Sequence, residues 1–153
     1  MRILPKIVPT RPDRAKNMTH LLDTSAILTC YFEEHGADPV QALLADTKNP
    51  PAICCITEFE FWARLKSLGA NAHFQSDWRE LSTLLKTLPL DAGIVGRAVE
   101  IRRASLNKLP TVDSLIAATA SFHGMALVHR DPHFESIPRK LLRQVSLCPP
   151  AAS

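Results

Sequence analysis

The chain has little that would mark it as a membrane, secreted or zinc-binding protein. No uncharged apolar run approaches the roughly 18 residues that a membrane span requires, so no membrane association is expected. The N-terminus lacks the apolar core and small-residue cleavage site of a secretory signal. Four cysteines (Cys30, Cys54, Cys55, Cys148) form no C-x-x-C pair, which excludes a zinc framework. Cys54 and Cys55, adjacent in an expected strand, read as small core residues of a protein in a reducing, cytoplasmic compartment. The five glycines make no glycine-rich loop that would cradle a nucleotide phosphate.

A broad basic surface is missing too. The net charge is +3, but residues 1–17 hold Arg2, Lys6, Arg11, Arg14 and Lys16 against Asp13 alone, a balance of +4. Residues 18–153 therefore carry −1, and net basicity alone gives little reason to expect nucleic-acid binding. Apolar residues at 46% and charged residues at 22% are ordinary for one globular domain of 153 residues. Pro5, Pro9 and Pro12 interrupt residues 1–17, which read as an extended or disordered arm without a role in catalysis. Met18, just before the first strand-like run, is an alternative start of translation. The domain is expected over residues 18–153.

Within it, short apolar strands alternate with helical stretches. Strands are expected at His20–Leu22, Ala52–Ile56, Leu88–Leu90, Met125–Val128 and Val145–Leu147. Helices are expected from Ser25 to His35, after Pro39, from a Thr57 cap to Leu68, over residues 73–87, from an Asp91 cap to Leu106, and from Pro110 to Phe122. This order predicts an α/β fold, a central parallel sheet with helices on both faces.

Ligands of such sheets gather where the strands end, and four carboxylates fall there. Asp23 ends the first strand, Glu60 lies one turn into the helix after the second, Asp113 lies in the first turn of P-T-V-D-S-L-I-A-A-T-A, and Asp131 follows M-A-L-V-H-R. Each has an ordinary explanation: Asp23 as a helix cap, Asp113 as a partner of the helix dipole, Asp131 as a turn residue. Glu58 and Glu60 sit about 200° apart around a helix, so only one of them can face solvent. Together, clustered acids repel unless something neutralises them, and Mg²⁺ or Mn²⁺ is the simplest candidate.

The segments L-L-D-T-S-A-I-L, I-T-E-F-E-F, V-D-S-L-I-A-A-T-A and A-L-V-H-R-D-P-H-F resemble the PIN-domain ribonucleases in order and spacing across residues 19–147, with a particular likeness to the VapC toxins of bacterial toxin–antitoxin pairs. The resemblance implies that Asp23, Glu60, Asp113 and Asp131 are the catalytic and metal-binding quartet of a Mg²⁺- or Mn²⁺-dependent endoribonuclease. It also implies a homodimer and a VapB-like antitoxin. Two features depart from the family: His129 stands where Thr or Ser is common, and no glycine follows the Glu60 turn.

Ser25 and His129 are supporting candidates, with capping and structural hydrogen bonding as their plain alternatives. Arg102, Arg103, Lys108 and Arg130 are candidates for RNA contact or for solvated surface charge. Tyr31, Phe32, Phe59, Phe61 and Trp62 are expected mostly in the core; any exposed together would offer a groove to an antitoxin helix. A haloacid-dehalogenase-type phosphotransferase needs a second acid two residues after Asp23, where Ser25 stands. The remaining alternative is a catalytically inactive PIN-like module that binds RNA or a partner.

Overall fold

Leu21 and Leu22 are neighbours, both fully buried, and they belong to different cores. They lie in strand β1 (His20–Leu22), and successive strand side chains point to opposite faces of a sheet. Strand β2 (Ala52–Cys54) divides likewise: Ala52 and Cys54 face one core and Ile53 the other. In β4 (Ala126–His129), Leu127 and Val128 part in the same way. Strands apolar on both faces require cover on both, which is why they read as unbroken apolar runs.

The computed structural model describes residues 20–150, so the arm expected over residues 1–17 lies outside the described residues. Five strands, completed by β3 (Lys86–Leu88) and β5 (Gln144–Ser146), form one sheet in the order β3-β2-β1-β4-β5. Every neighbouring pair is parallel. One core packs helices α5 (Ala92–Ala104) and α6 (Thr111–Phe122) against the sheet. The other packs α1 (Thr24–Tyr31), α2 (Ala37–Ala45), α3 (Thr57–Ser67) and α4 (Phe74–Ser82). The expected α/β class, with helices on both faces, is the observed one.

Several boundaries differ from the sequence expectation. Helix α1 stops at Tyr31 rather than His35, because Glu33 takes a left-handed φ of 57° through which no α-helix continues. Gly36 follows with a φ of 95°, where an added Cβ would also crowd Leu147 at 3.3 Å. The chain leaves α4 at Ser82, and Lys86–Leu88, not Leu88–Leu90, forms the third strand, its Lys86 N–H bonded to the Pro51 carbonyl at 2.9 Å. Strand β2 ends at Cys54, leaving Cys55 exposed, so only Cys54 of that pair is a core residue. Ile56 rather than Thr57 is the cap residue of α3, and the buried Thr57 Oγ1 has no hydrogen-bond partner. Strands β4 and β5 are each shifted by one residue from expectation.

The aromatic residues divide. Phe61 is fully buried between Tyr31, Phe74 and Trp78, with ring centroids 5.3 to 6.0 Å away, whereas Phe59 is 68% exposed and Phe32 39%. Among the described residues no helix is long and apolar enough to cross a membrane.

Candidate active site

Strand order changes direction at β1: β2 lies on one side and β4 on the other. A crevice opens at such a point beyond the carboxyl ends of the strands; β1 runs straight into Asp23, and Asp131 follows β4 after Arg130. Asp23 follows Leu22, and its backbone N–H bonds to the Val128 carbonyl at 2.9 Å, so the last ladder contact of β1 fixes it beside β4. Its side chain then does two things. Oδ2 accepts from the Ser25 N–H at 3.0 Å and from the Ser25 hydroxyl, the ordinary helix cap, whereas Oδ1 is buried with no hydrogen-bond partner. The capping explanation of Asp23 thus accounts for one oxygen and leaves the other.

Ser25 is a junction. Its Oγ donates to Asp23 and accepts the Arg130 backbone N–H at 2.9 Å, joining the start of α1 to the end of β4. Glu60 reaches the same place from α3: the hydroxyl of Thr24 donates to Glu60 Oε1 at 2.8 Å. Glu60 is half-buried and Glu58 exposed, as their angular separation on the helix demands. Asp113 stands half-buried in the first turn of α6, from the opposite helical layer. Asp131 caps the 3₁₀ turn Pro132–Ser136, accepting the His133 N–H at 2.9 Å, and the His133 imidazole Nδ1 lies 2.8 Å from the same Oδ1.

His129 is fully buried. Its Nδ1 accepts the Asp131 N–H at 3.2 Å, and its Nε2 lies 2.9 Å from Gln144 Oε1, while Gln144 donates to the Phe134 carbonyl. This histidine holds the turn that carries Asp131. Of the basic candidates, Arg130 pairs with Glu34, and Arg102 reaches the Thr111 hydroxyl at the start of α6 at 3.4 Å. Arg103 and Lys108 are exposed.

Residues 20–140 match the family model of the PIN domain. The chain belongs to the PIN-domain family. No curated protein matches it by sequence. A chain of a toxin–antitoxin complex from Klebsiella pneumoniae is similar at 27% identity and a TM-score of 0.63, over 84% of this chain and 98% of that one. Chains of the DNA-bound VapBC2 of Rickettsia felis and the DNA-bound VapBC of Salmonella typhimurium share the fold at TM-scores of 0.68 and 0.67, with 22% and 23% identity. They cover 84% and 86% of this chain and 98% and 99% of their own. The PIN-domain resemblance read from the four sequence segments is therefore upheld.

Electrostatically, this PIN domain holds its acids under tension. Burial pushes the Asp113 carboxyl up to about 7, aided by the charges of Asp23, Asp131 and Glu60. Burial likewise raises Asp23 against the opposing hydrogen bonds from Ser25, and raises Glu60 against the hydrogen bond from Thr24. Each of these three carboxyls feels the charge of Asp131. The four carboxylates thus lie within electrostatic reach of one another, and among the described residues the ligand atoms of Asp113, Asp131 and His133 come within 4.8 Å of one another. The donor set fits a divalent cation: hard carboxylate oxygens in excess, with the buried Asp23 Oδ1 lacking any other partner. The residue that sequence reasoning passed over is His133. Its nearness to Asp131 follows from the 3₁₀ turn that Pro132 opens, and the D-P-H triplet was the available signal.

Proposed function

We propose that this PIN domain is a Mg²⁺- or Mn²⁺-dependent endoribonuclease of the VapC toxin type, cytoplasmic and restrained by a VapB-like antitoxin. The observation that carries the reading is the raised carboxyls of Asp23, Glu60 and Asp113 at the strand ends, each acted on by the charge of Asp131, with Asp23 Oδ1 left without a partner. Cavities that hold acids without compensation are costly to fold, so a function that uses the charge is the economical explanation.

Asp23, Glu60, Asp113 and Asp131 would hold the cation. When bound, it would offset charge on the scissile phosphate and make water a better nucleophile. The chain's own groups prepare the site. Ser25 and Thr24 fix Asp23 and Glu60 by direct hydrogen bonds, and His129 fixes the Asp131 turn, so the carboxylates need little rearrangement to act together. Arg102, Arg103 and Lys108 lie just upstream of Asp113 and suit a phosphate backbone approaching the crevice. Arg130 would join them on exchanging Glu34 for phosphate.

The partner reading draws on exposed apolar surface. On α3, the exposed Phe59 and the half-buried Trp62 lie 6.0 Å apart, with Lys66 Nζ 5.0 Å from the Trp62 ring, a surface suited to an amphipathic antitoxin helix. On α5, Val95 and Val99 are exposed one turn apart, with Leu106 and Phe122 also exposed, and they suit a second copy of the chain in a homodimer.

The test is cleavage of a defined RNA by the purified protein in Mg²⁺, Mn²⁺ or EDTA, followed by end-group analysis. Cleavage only with added cation, without 2′,3′-cyclic phosphate ends, is the expected result. Activity that persists in EDTA rejects the cation mechanism, and cation-bound protein that never cuts RNA favours the inactive binding module. A chain beginning at Met18 is expected to cleave as the full chain does; failure of this truncation to fold or cleave would show that residues 1–17 pack on the domain.

A further inference from the structure

The acid quartet does not include His133, yet the ligand atoms of Asp113, Asp131 and His133 all lie within 4.8 Å of one another. The imidazole is exposed, with a side-chain accessibility of 57%, so burial does not explain its position. It is set by the chain: Asp131 caps the turn, Pro132 occupies its first position, and the His133 backbone N–H bonds back to Asp131 Oδ1. The ring nitrogen Nδ1 then arrives 2.8 Å from that same oxygen. A second observation points at the same place. Asp23 is 3% exposed, its Oδ1 has no partner, and its charge bears on both Asp113 and Asp131.

We infer that His133 is a nitrogen ligand of the bound cation and sets which cation this PIN domain prefers. The inference rests on the cation site proposed above. A purely carboxylate site suits Mg²⁺, which takes oxygen donors and dehydrates reluctantly, whereas an imidazole favours first-row transition ions such as Mn²⁺ and, more strongly, Co²⁺. One imidazole beside two carboxylates therefore tilts the site toward Mn²⁺ or Co²⁺ without excluding Mg²⁺. Because the ring is solvent-exposed and, among the described residues, hydrogen-bonded within its own turn, it can swing from Asp131 to the ion without disturbing either core.

The competing role is that of an orienting group, in which His133 never touches the ion and only steadies Asp131. The two roles separate in binding measurements. Mn²⁺, Co²⁺ and Mg²⁺ affinities are measured by calorimetry on the full chain and on His133→Ala, with circular dichroism as a check of folding. Electron spin-echo spectroscopy of the Mn²⁺-loaded protein reads nitrogen coupling directly. The expected result is a roughly tenfold or greater loss of Mn²⁺ and Co²⁺ affinity, a much smaller change for Mg²⁺, and loss of the imidazole nitrogen signal in the variant. Equal losses for all three ions, unchanged affinities, or a wild-type spectrum without nitrogen coupling would each overturn the assignment. A wild-type chain that binds none of the ions would overturn the cation site itself, and the assignment with it.

Discussion

Asp113→Asn is expected to lower RNA cleavage by roughly a thousandfold or more, equivalent to about 4 kcal/mol of lost transition-state stabilisation, and at the same time to make the cation-free protein more stable. The first half follows from charge: the amide keeps the shape of the side chain but removes a negative group from the cation's surroundings. The second half follows from linkage. In the fold the Asp113 carboxyl titrates near 7, raised from 3.8 by burial and by Asp23, Asp131 and Glu60. Between these two values the folded state keeps a proton that the unfolded chain has released, so stability falls as pH rises through that window and stays low above it. The cation-free wild type is therefore expected to melt higher at pH 5 than at pH 8. The Asn variant should lose the share of that dependence that Asp113 contributes, keep the share from the raised Asp23 and Glu60, and melt above wild type at pH 8, by about 3 °C for each kcal/mol recovered. Added Mn²⁺ should reverse the order at pH 8, stabilising wild type more than the variant. Scanning calorimetry with and without cation reads all of this. A variant that melts lower than wild type without cation at pH 8 would show that Asp113 serves the fold rather than the site.

Phe61→Ala is expected to cost about 3–5 kcal/mol, a large share of the 5–15 kcal/mol that holds a typical domain together. Phe61 is wholly buried, with Tyr31, Phe74 and Trp78 around its ring. Truncation leaves a cavity that neighbours from α1 and α4 cannot close together. Phe61 also follows Glu60 directly on α3, so the same packing that anchors the helix fixes where Glu60 emerges. Thermal melting should drop by roughly 10 °C or more. Loss of less than about 1 kcal/mol would mean that the aromatic cluster repacks and that α3 is anchored elsewhere.

The strands that carry the site were readable because their information is local. Leu21, Leu22, Leu127 and Val128 are apolar on both faces, and each run stops at a polar residue before an aspartate or at one. Edge elements were harder. Leu84 and Leu85 continue the apolar spacing of α4, so nothing nearby says that the helix stops at Ser82; what draws Lys86–Leu88 into the sheet is pairing with Ala52–Cys54, far away in sequence. The end of α1 was hidden for a different reason: Glu33 is an unusual residue for the left-handed conformation that closes the helix, where its N–H bonds back to the Cys30 carbonyl at 3.2 Å. Helix geometry said only that one of Glu58 and Glu60 must turn inward, and the family resemblance pointed to Glu60; Ser25 could be placed beside Asp23 but not recognised as the link to Arg130, which lies 105 positions later.

That link also fixes when the crevice can exist during the life of one molecule. Asp23 is among the first residues of the domain to leave the ribosome and Asp131 among the last, and β1 sits between β2 and β4 in the finished sheet. At synthesis rates of about 5–20 residues per second, roughly 5–20 seconds separate the two. Throughout that interval the nascent chain has Asp23 without the hydroxyl bridge from Ser25 to Arg130 and without its fourth carboxylate. On the cation site proposed above, a half-made chain lacks one of its four carboxylates, and the crevice is assembled only when nearly all of the domain has been made.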